Sequence, residues 1–149
     1  KANRVKAPIG KQIDKLTGKP KEIWAQTCVQ CEQQHPQSNT EVDHIVRAGS
    51  FRNWEECEAW LMALMQINFA ELQILCKPCH KIKSYAETHG LSFDDAAAQK
   101  AGIAWLKNNT PIQQKEYLCS VGYTGCPELN SLKSRRAAYV AHVKAKWSK

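Results

Sequence analysis

The spacing of apolar and polar residues predicts short strands alternating with helices. β-Branched residues alternate with polar ones over Glu41–Ala48, which is typical of a strand that ends at Gly49-Ser50. A second apolar run, Glu71–Leu75, predicts another short strand directly before a turn that contains two cysteines. The pattern therefore favours an α+β fold, expected to be one mainly helical domain.

Capping residues and apolar spacing mark the helices. Asn53, with Glu56 three residues later, predicts a capping box for a helix that ends near Gln66. Further helices are expected from about Lys77 to Thr88, from Ser92 to Leu106, from Thr110 to about Leu118, and from Asn130 or Ser131 to about Trp147. The first helix has an apolar stripe, interpreted as core, at Trp54, Cys57, Trp60, Leu61, Leu64 and Met65.

The segments before the first strand carry weaker signals. Residues 1–21 contain prolines and glycines with little apolar periodicity, so we expect an extended arm with a short helical turn around Gln12–Leu16. Trp24 is expected to anchor the core. Residues 32–40 are predicted to form a polar loop, and His35 within it is interpreted as a surface histidine before a proline.

Length and composition bound the class of protein. The chain has 149 residues of which 43% are apolar, which is enough for one modest core. It contains no run of about 18 apolar residues and begins with a polar, lysine-rich stretch, so neither a membrane span nor a secretory signal is expected. We therefore expect an intracellular, cytoplasmic protein without a small-molecule cofactor, and its oligomeric state is left open.

The formal net charge of +7 is unevenly distributed. Residues 1–21 carry seven basic residues and one acid, and residues 133–149 carry six basic residues and no acid, whereas acids outnumber bases between them. Basic ends on an acidic centre are typical of nucleic-acid binding, because lysine and arginine release counterions from phosphates. Solvated lysine tails are the alternative interpretation of the same pattern.

Four of the seven cysteines form two C-x-x-C pairs, Cys28 with Cys31 and Cys76 with Cys79. Two such pairs predict a tetrahedral zinc site, and four thiolates would make that site structural because they leave no open position. A redox role for one pair is the alternative, but neither pair lies in a βαβ context. The other cysteines, Cys57, Cys119 and Cys126, are predicted free thiols, with a second zinc site at Cys119 and Cys126 as the alternative.

The dipeptide Asp43-His44 gains meaning from a motif further along the chain. A carboxylate and an imidazole stand together before Ile45, and L-Q-x-L-C-x-x-C-H-x-x-K runs from Leu72 to Lys83. This combination resembles the HNH endonucleases, the ββα-metal or His-Me finger nucleases, in the zinc-ribbon form common among phage and mobile elements. The resemblance covers about residues 24–85. It rests on Cys28, Cys31, Asp43, His44, Ile45, Leu72, Gln73, Leu75, Cys76, Cys79, His80 and Lys83.

The resemblance implies a metal-dependent DNA endonuclease that nicks or cuts both strands and leaves 5′-phosphate and 3′-hydroxyl ends. It assigns His44 as the general base that activates water. It assigns Asp43 and His80 as ligands of a catalytic Mg²⁺, Mn²⁺ or other transition ion. Lys83, with Lys81 close by, would contact the DNA phosphate, and a phage origin would place the protein in a bacterial cytoplasm.

Two positions depart from the family pattern. Glu71 stands where the family has an asparagine that braces the loop of the base, and we count it among the candidate catalytic residues. It would brace as an acceptor when ionised, orient His44 or join the metal shell. Arg47 stands where many members have proline, and we expect it to contact a phosphate, with solvation as the alternative.

The predicted organisation has three parts. A basic arm spans 1–21, a zinc-bound nuclease core with a helical insertion at 51–70 spans 22–90, and a helical extension spans 91–149. One alternative function is a zinc-stabilised DNA-binding module without catalysis. Another is an RNA-directed nuclease or a ribosome-associated zinc protein, which lacks support because no basic strand carries a stacking platform of aromatic residues.

Overall fold

The fold mixes strands and helices, as the sequence predicts. The computed structural model describes residues 4–7, 13–19, 21–47, 49, 51–65, 68–123 and 129–147. Its elements are β1 (Arg4–Ala7), β2 (Ile23–Thr27), β3 (Gln34–Pro36), β4 (Thr40–His44), α1 (Trp54–Met65), β5 (Leu72–Cys76), α2 (Lys77–His89), α3 (Phe93–Asn108), α4 (Pro111–Ser120) and α5 (Leu132–Trp147). Among these residues, no helix is long and apolar enough to cross a membrane.

The chain divides into two compact units, residues 1–81 and 82–149, and helix α2 begins in the first and continues into the second. The first unit contains two antiparallel sheets. β1, β2 and β3 form a sheet in that order, and β4 pairs with β5. Within the second pair, Asp43 lies opposite Gln73 and His44 opposite Leu72.

The N-terminal arm contributes strand β1, which the sequence did not predict. Ala7 at its end is buried, as is Ala25 in the neighbouring strand β2. A four-residue strand is too short for a periodic signal, so its pairing comes from tertiary contacts. The helical turn expected at Gln12–Leu16 corresponds to a turn at 15–17, where the Asp14 carboxylate accepts backbone N–H bonds; Gln12 lies outside the described residues.

Three local predictions in this unit are wrong. Trp24 is 45% exposed and does not anchor the core; the Lys6 ammonium lies 5.5 Å from its ring centre, a cation–π distance. The predicted loop at 32–40 contains β3 and a 3₁₀ turn at Gln37–Asn39. The strand predicted over Glu41–Ala48 ends at His44, because the chain bends at the next two residues; Ala48 itself lies outside the described residues.

Helix α1 forms close to its predicted bounds, and its predicted end, Gln66, lies outside the described residues. Asn53 caps it, since the backbone N–H of Glu56 donates to Asn53 Oδ1 at 2.9 Å. Its apolar stripe is only partly core. Cys57 is buried, whereas Trp54 is 85% exposed and Met65 80% exposed. Helical spacing predicts which residues share a face, but it does not report whether a neighbouring surface covers that face.

The second unit is helical, and its helices begin at the predicted caps. Ser92, Thr110 and Ser131 each accept a backbone N–H from the first turn of α3, α4 and α5. Gly102 lets α3 and α5 approach closely, since a Cβ at this position would lie 2.9 Å from Val140 Cγ2. The core includes Leu118, Leu129 and Ala138, and Trp105 stacks on Tyr139 beside it with ring centres 4.2 Å apart.

Arg135 of helix α5 is a buried basic residue, with 6% of its surface exposed. Its Nε donates to Gln114 Oε1 at 2.7 Å, and one terminal nitrogen donates to the carbonyls of Leu129 and Asn130. Gln114, also buried, donates in turn to the carbonyl of Leu106. This guanidinium therefore ties together helices and a loop and is not available to a phosphate.

Candidate metal centre and carboxylate–histidine cluster

The two C-x-x-C pairs come together in the first unit. The sulfurs of Cys28, Cys31, Cys76 and Cys79 all lie within 4.8 Å of one another. Sulfurs bound tetrahedrally to one zinc ion are about 3.8 Å apart, so the cluster needs little adjustment to hold a metal. Three of the cysteines are buried and Cys31 is half-buried. The four thiols can bind a structural metal ion such as zinc.

Backbone hydrogen bonds shape the first cysteine turn. The N–H of Glu32 donates to the carbonyl of Cys28 at 2.9 Å, and Glu32 has a φ of 58° in the left-handed region. The N–H of Val29 donates to the carbonyl of Ile74 at 3.0 Å, which fastens this turn to β5. The second cysteine turn is positioned by the regular structure on either side of it. β5 continues directly into α2, whose first turn carries Cys79.

The thiols of this cluster differ in acidity. Burial acts to raise the pKa of the Cys28 thiol, but backbone N–H donors from Cys76 and Cys31 outweigh it and lower the pKa to about 7. Burial raises the pKa of both Cys76 and Cys79. Donors aimed at the Cys28 sulfur favour a thiolate, which is the form that binds metals.

His35 lies against this cluster rather than at the surface alone. Its Nε2 is 3.4 Å from the sulfur of Cys31, and its side chain is half-buried. The remaining described cysteines, buried Cys57 and exposed Cys119, are thiols outside any disulfide of the described residues, as predicted. Cys126, the partner of Cys119 in the alternative second site, lies outside the described residues.

A second cluster joins β4 to the start of α2. The Nε2 atom of His80 lies 3.4 Å from Asp43 Oδ1. The sequence brings them together because β5 pairs with β4 and then turns immediately into α2, whose first turn holds His80. Two ligand atoms at right angles around one ion at about 2.1 Å are about 3 Å apart, so this separation is close to that of a shared metal.

Glu41 belongs to this cluster, and sequence reasoning missed it. Its Oε2 lies 2.5 Å from Nδ1 of His80, so that each ring nitrogen faces a different carboxylate. Glu41 and Asp43 are two residues apart on β4, and side chains at that spacing share one face of a strand. The spacing of two residues between Glu41 and Asp43 was the sequence signal that could have added Glu41 to the predicted site.

The register of the sheet also positions Asp43. Gln73 lies directly opposite it on β5, and Gln73 Nε2 donates to Asp43 Oδ2 at 2.9 Å. The amide holds one carboxylate oxygen while the other faces His80. Gln73 belonged to the motif that carries the family resemblance, but its positioning contact follows only from the strand register.

Glu71 is linked to the residue that follows His44 by a backbone hydrogen bond. His44 is the last residue of β4 and half-buried, and its Nε2 is shielded from solvent. The N–H of the following residue, Ile45, donates to the Glu71 carbonyl at 2.8 Å. The Glu71 carboxylate accepts the Asn68 N–H at 3.1 Å and so caps the 3₁₀ turn at Phe69–Glu71. Glu71 thus supports the chain after His44 through its carbonyl.

The predicted phosphate-contacting residues have different surroundings. Arg47 follows the bend after β4 and is exposed, and Lys81 is exposed on α2. Lys83, further along the same helix, lies 2.5 Å from Glu87 Oε1. Two of the three basic groups are therefore solvated, and the third has a carboxylate partner.

Comparison with protein-family models, with curated proteins and with solved structures gives no match for this chain.

Proposed function

We propose that this protein is a metal-dependent DNA endonuclease of the HNH, or ββα-metal, type. The observation that carries the proposal is the 3.4 Å separation of Asp43 Oδ1 and His80 Nε2 on a strand pair followed by a helix. The order β4, β5 and α2 corresponds to the ββα order of that family. The four-cysteine cluster at the end of β5 supports the same assignment, since it matches the zinc-ribbon form.

Asp43 and His80 would hold the divalent ion, Mg²⁺, Mn²⁺ or another transition ion, through one oxygen and one nitrogen. A bound ion would stabilise the charge that develops on the phosphate and on the leaving 3′ oxygen. Gln73 orients Asp43 and Glu41 orients His80, each through an atom of the ligand residue that does not face the ion. A carboxylate on Nδ1 fixes the histidine tautomer that makes the Nε2 lone pair available to a metal.

His44 is proposed as the general base that takes a proton from the attacking water. It is the last residue of β4, directly before the chain bends. The hydrogen bond from Ile45 to the Glu71 carbonyl restrains the chain just after it. Glu71 would therefore act through its backbone, as a positioning residue. Attack on the phosphorus with departure of the 3′ oxygen gives 5′-phosphate and 3′-hydroxyl ends.

DNA is the proposed substrate because of charge. The chain carries a net charge of +7, and Arg47 and Lys81 are exposed in the same unit as the cluster. Lys83 would contact a phosphate by exchanging its partner Glu87 for it. Arg135 is excluded from this role by its burial.

Cleavage of a supercoiled plasmid tests the proposal. We expect nicked or linear DNA with Mg²⁺ or Mn²⁺, no cleavage with chelator, and loss of cleavage in His44→Ala. His142→Ala, a histidine of α5 outside the cluster, should cleave as the unchanged protein does. Absence of cleavage under every metal ion by folded, zinc-loaded protein would contradict the proposal.

A DNA-binding module without catalysis is the second candidate. It is favoured by the change of the family asparagine to Glu71, whose carboxylate caps a 3₁₀ turn. It predicts that folded protein shifts the mobility of DNA and cuts none of it. The plasmid assay and a mobility-shift assay on the same preparation separate the two candidates.

A further inference from the structure

A histidine lies beside the least buried cysteine of the four-cysteine centre. His35 Nε2 is 3.4 Å from Cys31 Sγ, and Cys31 is half-buried whereas the other three cysteines are buried. His35 is held in β3, where it pairs with Gln26 of β2, so the same hairpin carries the cysteine and the histidine. The two are four residues apart, in the pattern Cys28-x-x-Cys31-x-x-x-His35.

Imidazole nitrogen is a normal zinc ligand, and three cysteines with one histidine form a closed tetrahedral set. When the Cys31 sulfur is missing, a shift of Nε2 by 3.4 Å would place the nitrogen where the sulfur lies now. We propose that His35 is a reserve ligand of this centre, which binds the metal through Nε2 when the Cys31 sulfur is absent. The proposal concerns the structural metal and is independent of nuclease activity.

The chemistry of the ring allows both roles. With its proton on Nε2, His35 donates a hydrogen bond to the Cys31 thiolate, and with its proton on Nδ1 it offers the Nε2 lone pair to a metal. A residue that donates a hydrogen bond to a metal ligand contributes less to zinc affinity than a residue that binds the metal itself. Removal of a residue that supports a metal ligand typically lowers metal affinity about 10–100-fold. Loss of a ligand from a closed four-coordinate site should exceed that range.

The test is therefore a double-mutant comparison of zinc affinity, measured on the full chain by competition with a chelating indicator. His35→Ala in the unchanged protein should weaken zinc binding by at most about 100-fold. Cys31→Ala should still bind one zinc per chain. Addition of His35→Ala to Cys31→Ala should weaken zinc binding by more than about 100-fold, a larger loss than the same substitution causes alone.

Two further measurements make the outcomes decisive. Cobalt substituted for zinc in Cys31→Ala should give a weaker sulfur charge-transfer band than in the unchanged protein, and adding His35→Ala should shift the d–d absorption bands because water replaces the imidazole nitrogen. Cys79→Ala, a cysteine of α2, serves as the matched control and should fail to retain zinc. Equal losses from His35→Ala in both backgrounds would overturn the proposal, as would a zinc-free or unfolded Cys31→Ala protein.

Discussion

Glu41 offers the sharpest prediction from the carboxylate–histidine cluster. Its carboxylate lies 2.5 Å from Nδ1 of His80, while Nε2 of the same ring faces Asp43. Glu41→Gln keeps the size of the side chain and removes its charge. The amide can still accept a hydrogen bond through its oxygen, but a neutral acceptor supports the metal-binding tautomer of the ring less strongly.

The expected effects on stability and on activity differ in size. The side chains of Glu41 and His80 are 41% and 33% exposed, and a polar contact at that exposure contributes at most about 1 kcal/mol to folding. The change should therefore move the unfolding midpoint little. If His80 binds the metal as proposed, loss of the carboxylate that orients it should lower metal affinity or activity about 10–100-fold.

The assay is plasmid cleavage as a function of Mn²⁺ concentration, with DNA binding measured in parallel without the metal. Glu41→Gln should require more Mn²⁺ for half-maximal cleavage, while its affinity for DNA stays unchanged. Glu58→Gln, an exposed glutamate of α1, is the control and should leave both measurements unaltered. Cleavage by Glu41→Gln with an unshifted Mn²⁺ dependence and rate would refute the positioning role.

Three substitutions test the packing, each measured by denaturant unfolding of zinc-loaded protein. Glu32→Gly should stabilise the protein by about 1 kcal/mol, because glycine adopts the left-handed backbone of this position without strain. Gly102→Ala should destabilise it by about 1–3 kcal/mol, since the new methyl group would meet the stiff side chain of Val140. Arg135→Met should cost about 3 kcal/mol, because Gln114 and two carbonyls lose a buried donor. No change in stability in any of these variants would contradict the corresponding contact.

Local sequence signals predicted most helices and the two paired cysteine turns. Ser92, Thr110 and Ser131 cap helices where their side chains suggested, because capping depends on neighbours within one turn. The proximity of Cys28 and Cys76 was also predictable, since a tetrahedral site demands it. The family resemblance, by contrast, stays a prediction.

The missed features depend on contacts between distant parts of the chain. Strand β1 needs β2 as its partner, and the exposure of Trp54 depends on which surfaces remain uncovered. Burial of Arg135 depends on acceptors supplied by another helix and a loop, which a charge count does not reveal. Glu41 could have been predicted as a neighbour of Asp43, because strand alternation places both on one face. Its contact with His80, however, depends on where α2 begins.

The proposed activity depends on the binding of a divalent ion by Asp43 and His80. Titration of zinc-loaded protein with Mn²⁺, followed by electron paramagnetic resonance of the free ion, tests it directly. We predict one bound Mn²⁺ per chain that is lost in Asp43→Asn and in His80→Ala, with the zinc content unchanged. The proposal would be wrong if both variants bound Mn²⁺ as tightly as the unchanged protein does, or if the unchanged protein bound no Mn²⁺.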